Sequence, residues 1–158
     1  MGSRTVKRAA FAAAIAITGP ALGLAGCGDG TEQVNAEELV SRGDEICAQG
    51  RKRFDEVQSR SLPNASAAAE QTAQLVDVAT DELNELRDIR PPDELRERYD
   101  RYLEARGRAL DLLEQGQEAA EEKDADAYVK AQAEAAAAQP ERLKLARAVG
   151  FRQCSKAG

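Results

Sequence analysis

The chain contains three cysteines and no histidine, so sulfur carries most of the chemistry available to its side chains. Cys27 lies near the N-terminus, and Cys47 and Cys154 lie far apart in the rest of the sequence. A cysteine can carry a lipid, join a second cysteine, exchange electrons or act as a nucleophile. The residues around each cysteine distinguish between these roles.

The residues before Cys27 predict lipidation. Three basic residues precede an apolar run that begins at Ala9 and ends in the tetrapeptide Leu24-Ala25-Gly26-Cys27. A positive N-terminal region, a short apolar core and small residues at the cleavage site are typical of an export signal. The cysteine at its end completes a bacterial lipobox. We therefore expect residues 1–26 to be a removed lipoprotein signal peptide, and Cys27 to carry a diacylglyceryl anchor.

Two other interpretations of this segment are weaker. A membrane-spanning helix needs about 20 predominantly apolar residues, whereas this run is rich in alanine and is interrupted by Thr18-Gly19-Pro20. An ordinary signal peptide would give no reason for a cysteine directly after Ala25-Gly26. The predicted location is the extracytoplasmic face of the cell membrane, with the membrane contacted through the lipid.

Cys47 and Cys154 then remain, and we expect them to form a disulfide. Outside the cytoplasm, cysteines that carry no lipid usually pair. A redox-active pair would need a C-x-x-C arrangement or a neighbouring base, and neither is present. In the chain-entropy model, closing a loop of about a hundred residues stabilises a fold by about 4 to 5 kcal/mol.

Charge and composition exclude several functions. The full chain has 22 basic and 28 acidic residues, and removal of the three bases in residues 1–26 leaves a net charge of −9. Such a domain lacks the basic surface that nucleic acid requires. The absence of histidine removes Ser-His-Asp catalysis, histidine-bound zinc and di-iron sites. Asp124-Ala125-Asp126 lacks the other ligands of a calcium loop. We therefore expect that the protein binds no metal or cofactor and is not an enzyme.

Helical periodicity continues through almost all of the remaining sequence. We expect a lipidated flexible tether over 27–35 and one all-α domain over 36–158, folded as an antiparallel up-down four-helix bundle. Pro140 predicts a kink or a restart in the last helix. The predicted helices are Ala36 to about Ser59, Ala65 to Ile89, Pro92 to about Glu122, and Ala125 to Val149.

Aromatic side chains are few, and three tyrosines are the candidates for a ligand site. Tyr99, Tyr102 and Tyr128 could line a groove of the bundle, because a tyrosine has an apolar ring and a polar tip. Bundle cores use the same residues without binding a ligand, so packing in the core is the favoured role of these rings. The last helix offers alanines where the others offer leucines, so the core is expected to be thin.

Three segments resemble small secreted or lipid-anchored helical proteins of actinobacteria. They are Asp44-Glu45-Ile46-Cys47-Ala48, Arg90-Pro91-Pro92-Asp93-Glu94-Leu95, and Val149-Gly150-Phe151-Arg152-Gln153-Cys154. The resemblance implies a Cys47–Cys154 bond and an extracytoplasmic bundle. It implies no particular activity.

The leading functional hypothesis is a non-catalytic interaction or structural module that binds an envelope protein. A carrier of a small ligand is the alternative, and an enzyme ranks last. An exposed apolar patch would favour the first hypothesis. A cavity of a few hundred Å³ with converging polar groups would favour the second.

Overall fold

The computed structural model describes residues 32–157, which form four helices and no β-strand. The predicted all-α class is confirmed, and the helix bounds differ from the predicted ones by one or two residues. The predicted signal peptide and Cys27 lie outside the described residues. The helices are α1 (Ala36–Gln58), α2 (Ala65–Arg87), α3 (Asp93–Glu122) and α4 (Ala125–Val149).

Side chains cap three of the helices at their N-termini. Asn35, Asn64 and Asp124 each accept a hydrogen bond from the backbone N–H three residues later, at 2.9 to 3.0 Å. These bonds satisfy backbone donors that have no partner within the helix. At its C-terminus α4 ends on Gly150, whose φ of 108° lies in the left-handed region that glycine adopts without strain.

Pro92 differs from the expectation, and at Pro140 one of the two expected outcomes, a restart of the helix, does not occur. Pro92 is the N-cap of α3 with an extended ψ of 153°, so Asp93 and not Pro92 is the first helical residue. Its carbonyl accepts the Leu95 N–H and thereby starts the helix. Pro140 lies inside α4, which continues through it without a restart. Because proline has no backbone N–H, the carbonyl of Ala136 lacks its helical hydrogen bond. Ala136 is exposed, so water can bind this carbonyl, which reduces the free-energy cost of the missing bond.

Consecutive helices pack antiparallel in the order α1, α2, α3, α4, whereas α1 and α4 have little helix-to-helix contact. We define the base as the bundle end at the α2–α3 connection and the apex as the opposite end. Residues 33–35 pack at the base, where Val34 N–H donates to the Arg90 carbonyl at 3.0 Å. Gln33 also donates to the Pro91 carbonyl at 3.1 Å. The flexible tether predicted over 27–35 therefore extends too far, because Gln33 and Val34 are bound to the domain.

The best-packed core lies at the base. Tyr99, Tyr102 and Phe151 form an aromatic cluster with ring centroids 5.3 to 6.5 Å apart. Beside it Cys47 and Cys154 form the predicted disulfide, with their Cα atoms 5.1 Å apart. The tail after α4 runs along α1 and brings Cys154 to the middle of that helix.

Packing becomes thinner towards the apex. Leu110 and Leu113 of α3 are only partly buried, and α4 presents Ala131, Ala135 and Ala138 on its inner side. Alanine fills little of the space between helices. The side chains of α4 therefore do not close the gap between α4 and α1.

Candidate functional site

A cleft of about 370 Å³ opens between α1 and α4 and reaches residues of all four helices. Its volume falls within the usual range for small-molecule sites. On one side stands Phe54 of α1, and on the other stand Ala135 and Ala136 of α4. The disulfide borders the cleft towards the base. The small α4 residues leave the cleft open, and the disulfide keeps the two helices joined beside it.

An ion pair forms the floor of the cleft. Glu82 of α2 and Arg106 of α3 lie 2.5 Å apart, and their side chains are only 6% and 13% exposed. Gly50 makes room for this pair, because a Cβ atom at that position would lie 2.6 Å from Glu82 Oε2. Burial is the largest single effect on the pKa of Arg106 and lowers it, but the charge of Glu82, the neighbouring Tyr102 and the hydrogen bond to Glu82 together raise that pKa above its ordinary value.

Arg142 of α4 lines the same cleft without such a partner. It is partly buried, and no carboxylate within residues 32–157 lies at ion-pair distance from its guanidinium. Burial and the neighbouring positive charge of Arg106 lower the pKa of Arg142, although arginine stays protonated in proteins. The guanidinium of Arg142 is therefore a half-buried positive charge beside the open space of the cleft.

Two further cations lie where the tail meets the cleft. Arg51 donates to the Gln153 carbonyl at 2.5 Å, and Lys156 donates to the Gln153 side chain at 2.7 Å. The cleft is therefore lined by four basic side chains and only two carboxylates, those of Glu82 and Asp55. This local excess of positive charge contrasts with the acidic character of the whole chain.

The cleft has a cationic half and an apolar half. Because neighbouring helices are antiparallel, Arg51, Arg106 and Arg142 lie at similar heights towards the base. One or two turns closer to the apex, the lining residues are mostly apolar. The apolar ones are Phe54, Ala79, Ala109, Leu110, Leu113, Ala135 and Ala136, and the polar ones in the same half are Asp55, Gln58, Gln132 and Gln139.

The three candidate tyrosines do not form a common site. Tyr99 and Tyr102 are fully buried in the core at the base, where Tyr99 Oη donates to the Leu86 carbonyl at 2.5 Å. Burial raises the pKa of Tyr102 to about 12 and that of Tyr99 further. Tyr128 lies in the first turns of α4, near the apex, because α3 and α4 run antiparallel. The favoured role in core packing is therefore confirmed for Tyr99 and Tyr102, whereas the three tyrosines do not share a groove and none of them lines the cleft.

The charged residues of the cleft were not predicted, although their spacing in the sequence carries a signal. Arg106 stands four residues after Tyr102 and four before Leu110, on the apolar stripe of α3. Glu82 occupies the equivalent place on α2, between Ala79 and Leu86. A charged residue at a core position of a helix needs a buried partner or a ligand.

Other classes of site find no support in residues 32–157. No group of three or more potential metal-binding side chains occurs there, and no helix in that range is both long and apolar enough to cross a membrane. Asp44, one of the carboxylates available for acid-base chemistry, instead binds backbone N–H groups of the tail. Comparison with protein families, with characterised proteins and with solved structures finds no match.

Proposed function

We propose that this protein is a lipid-anchored, extracytoplasmic protein that binds a small molecule in the cleft between α1 and α4. The observation that carries the proposal is the cleft itself, which has a suitable volume and converging polar groups around the Arg142 guanidinium. From the sequence alone, an interaction module is the leading hypothesis and a ligand carrier is the alternative. The cleft supports the reverse order.

The exposed surface gives less support to an interaction module. Within the described part of the chain, the exposed large apolar side chains are those of Leu62 and Val129, which are 48% and 65% exposed. Docking faces are contiguous apolar patches of several hundred Å², whereas isolated exposed apolar residues are ordinary. These two residues are on different elements, a connection and a helix.

The proposed location follows from the lipobox, and the disulfide supports it. A structural disulfide persists in oxidising compartments and is rare in the cytoplasm. Because Gln33 and Val34 are bound at the base, a lipid on Cys27 would hold that end of the bundle closest to the membrane. The cleft would then open along the side of the bundle, above the bilayer.

Binding without chemical conversion is the form of the proposal that the cleft supports. Its buried carboxylate, Glu82, is paired with Arg106, and its two sulfur atoms are joined in the disulfide. Histidine is absent from the sequence. The prominent groups of the cleft are cations, which hold a ligand more readily than they accept its protons.

Native mass spectrometry of the mature protein, extracted from its own membrane in mild detergent, tests this proposal. We expect a small molecule bound at one copy per chain and released on denaturation. Ala135→Phe should fill the cleft and abolish the bound mass, whereas Ala133→Phe, on the exposed side of α4, should retain it. Disulfide content and helical circular dichroism confirm folding of both variants. Absence of any bound mass from the wild-type protein contradicts the proposal.

A further inference from the structure

We infer that the ligand is a small amphiphilic acid whose carboxylate or phosphate group binds Arg142 and whose apolar part packs against Phe54, Leu110 and Leu113. The inference rests on the proposed function and names the class of ligand. It follows from three properties of the cleft, which are its charge, the shape of its cationic groups and the separation of its two halves.

Charge excludes a cationic ligand and favours an anion. Arg142 is partly buried beside a second guanidinium, that of Arg106, which is neutralised by Glu82. An anion that enters the cleft compensates the Arg142 charge where water is partly excluded and electrostatic attraction is stronger than in bulk solvent. A cation would meet repulsion from Arg51 and Lys156 as well.

The guanidinium group defines the kind of anion. Its planar fork of N–H donors matches two oxygen atoms of a carboxylate or a phosphate, which gives paired charge-assisted hydrogen bonds. Arg51 already donates one Nη2 bond to the Gln153 carbonyl, and Arg106 donates to Glu82. Arg142 makes no comparable hydrogen bond with residues 32–157, so its donors are available.

The apolar half defines the rest of the ligand. Phe54, Leu110 and Leu113 line the cleft on the apical side of the arginines and remain partly exposed. An inorganic anion alone would leave this wall in contact with water. A short hydrocarbon chain or ring attached to the acid would cover it, at about 25 cal/mol for each Å² of apolar surface removed from water.

Titration calorimetry with four defined probes tests the inference. The mature chain with Cys27→Ser lacks the lipid and is studied without detergent. Detergent micelles would take up the probes and occupy the cleft in their place. The probes are octanoate, octyl phosphate, 1-octanol and acetate. At least one of the two eight-carbon acids should bind at one molecule per chain, and their relative affinities separate carboxylate from phosphate recognition. Uncharged 1-octanol and chainless acetate should each bind at least tenfold more weakly.

Variants of the cationic half identify the contact. Arg142→Gln should weaken binding of the preferred acid by about tenfold or more, the value of a charge-assisted hydrogen bond. Arg147→Gln, an exposed arginine on the same helix, should leave the affinity unchanged. Gln139→Glu keeps Arg142 but adds a negative charge to the cleft lining, and it should also weaken binding. Gln139→Glu therefore tests the inference even if Arg142→Gln fails to fold.

Failure of the inference differs from failure of the proposed function. Three results would each overturn the amphiphilic acid: an affinity for 1-octanol or acetate equal to that for the preferred acid, binding of neither acid, or an unchanged affinity for the preferred acid in both cleft variants. If the protein from its own membrane still carries a small molecule that Ala135→Phe removes, the proposed function stands. If that protein carries none, the proposed function fails as well.

Discussion

The carboxylate of Asp44 accepts hydrogen bonds from the backbone N–H of Arg152 through both of its oxygen atoms, at 2.9 and 3.0 Å. The next N–H, that of Gln153, donates to the same carboxylate at 2.6 Å. One side chain of α1 thus holds the turn that follows α4. This contact aligns the tail along α1, and it places Cys154 beside Cys47 and the cleft.

Loss of the Asp44 carboxylate should release the tail. Asp44→Ala removes the acceptor for three backbone N–H groups, those of Arg152, Gln153 and Cys154, and we expect the free energy of unfolding to fall by about 1.5 to 3 kcal/mol. Urea denaturation measures this change, and hydrogen exchange should show faster exchange of the Arg152 and Gln153 amides. Glu45→Ala, one position along and exposed, is the matched control and should change neither measurement. Unchanged amide protection in Asp44→Ala would contradict a role in holding the tail.

Local rules predicted the helices of this fold well, because periodicity and caps are encoded within a few residues. Asn35, Asn64 and Asp124 each stand directly before a helix and are of residue types that favour the N-cap position. The contact between Asp44 and the tail was not predictable in this way, because it joins residues more than a hundred positions apart. The disulfide was predictable over a similar distance only because compartment and cysteine number left one pair.

The candidate site was harder to predict, because it depends on which helix sides meet and on how far apart they stay. The tyrosines were chosen for their chemistry alone, and the bundle buries two of them while it places Tyr128 at the other end. The cleft arises from what α4 lacks, namely large side chains opposite Phe54. Periodicity shows that Arg106 and Glu82 lie on inward faces, but only the packed helices show that they meet.

The buried pair of Glu82 and Arg106 should show strong energetic coupling. Glu82→Leu or Arg106→Met alone leaves an unpaired charge below the cleft, and each should destabilise the fold by about 3 kcal/mol or more. The double variant Glu82→Leu with Arg106→Met should recover part of this loss, because neither charge is then buried. Urea unfolding of the single and double variants gives the coupling energy. Additive losses would show that the two groups do not depend on each other.

The disulfide should account for a large share of the stability. It closes a segment with a sequence separation of 107, so Cys47→Ala with Cys154→Ala should lower the free energy of unfolding by about 4 to 5 kcal/mol. Thermal denaturation with and without reductant gives an independent measurement on the wild-type chain. Thiol titration of the unreduced, lipidated protein should find no free sulfhydryl. Two titratable sulfhydryls would contradict both the disulfide and its stabilising role.

Stability should fall in alkaline solution because of the buried tyrosines. Burial raises the pKa of Tyr102 from its ordinary value of 10.0 to about 12. The unfolded chain therefore loses this proton first, and the stabilisation, complete below pH 10, is lost as the pH rises to about 12. Above pH 10 the free energy of unfolding should fall by up to about 1.4 kcal/mol per pH unit for each such tyrosine. Denaturation at pH 9 to 12 measures it, and Tyr102→Phe should make the decline shallower. An identical decline in that variant would show that ionisation of Tyr102 does not cause the loss of stability.

Two glycines in helix interiors should respond to alanine in opposite directions. Alanine is favoured over glycine in a helix by about 1 kcal/mol, so substitution is stabilising wherever the new methyl group has room. A Cβ atom at Gly107 would have Arg87 Nη2 as its nearest neighbour, at 3.9 Å, so Gly107→Ala should raise the free energy of unfolding.

At Gly43 the same methyl group would lie 2.4 Å from Phe151 Cε1. That ring is fixed between Tyr99 and Tyr102 and is 2% exposed, so it has no free direction in which to move. Overpacking of this kind costs about 1 to 3 kcal/mol, which exceeds the gain in helix propensity. Gly43→Ala should therefore destabilise the protein in urea denaturation while Gly107→Ala stabilises it. Stabilisation by both substitutions would mean that Phe151 does not pack directly against α1.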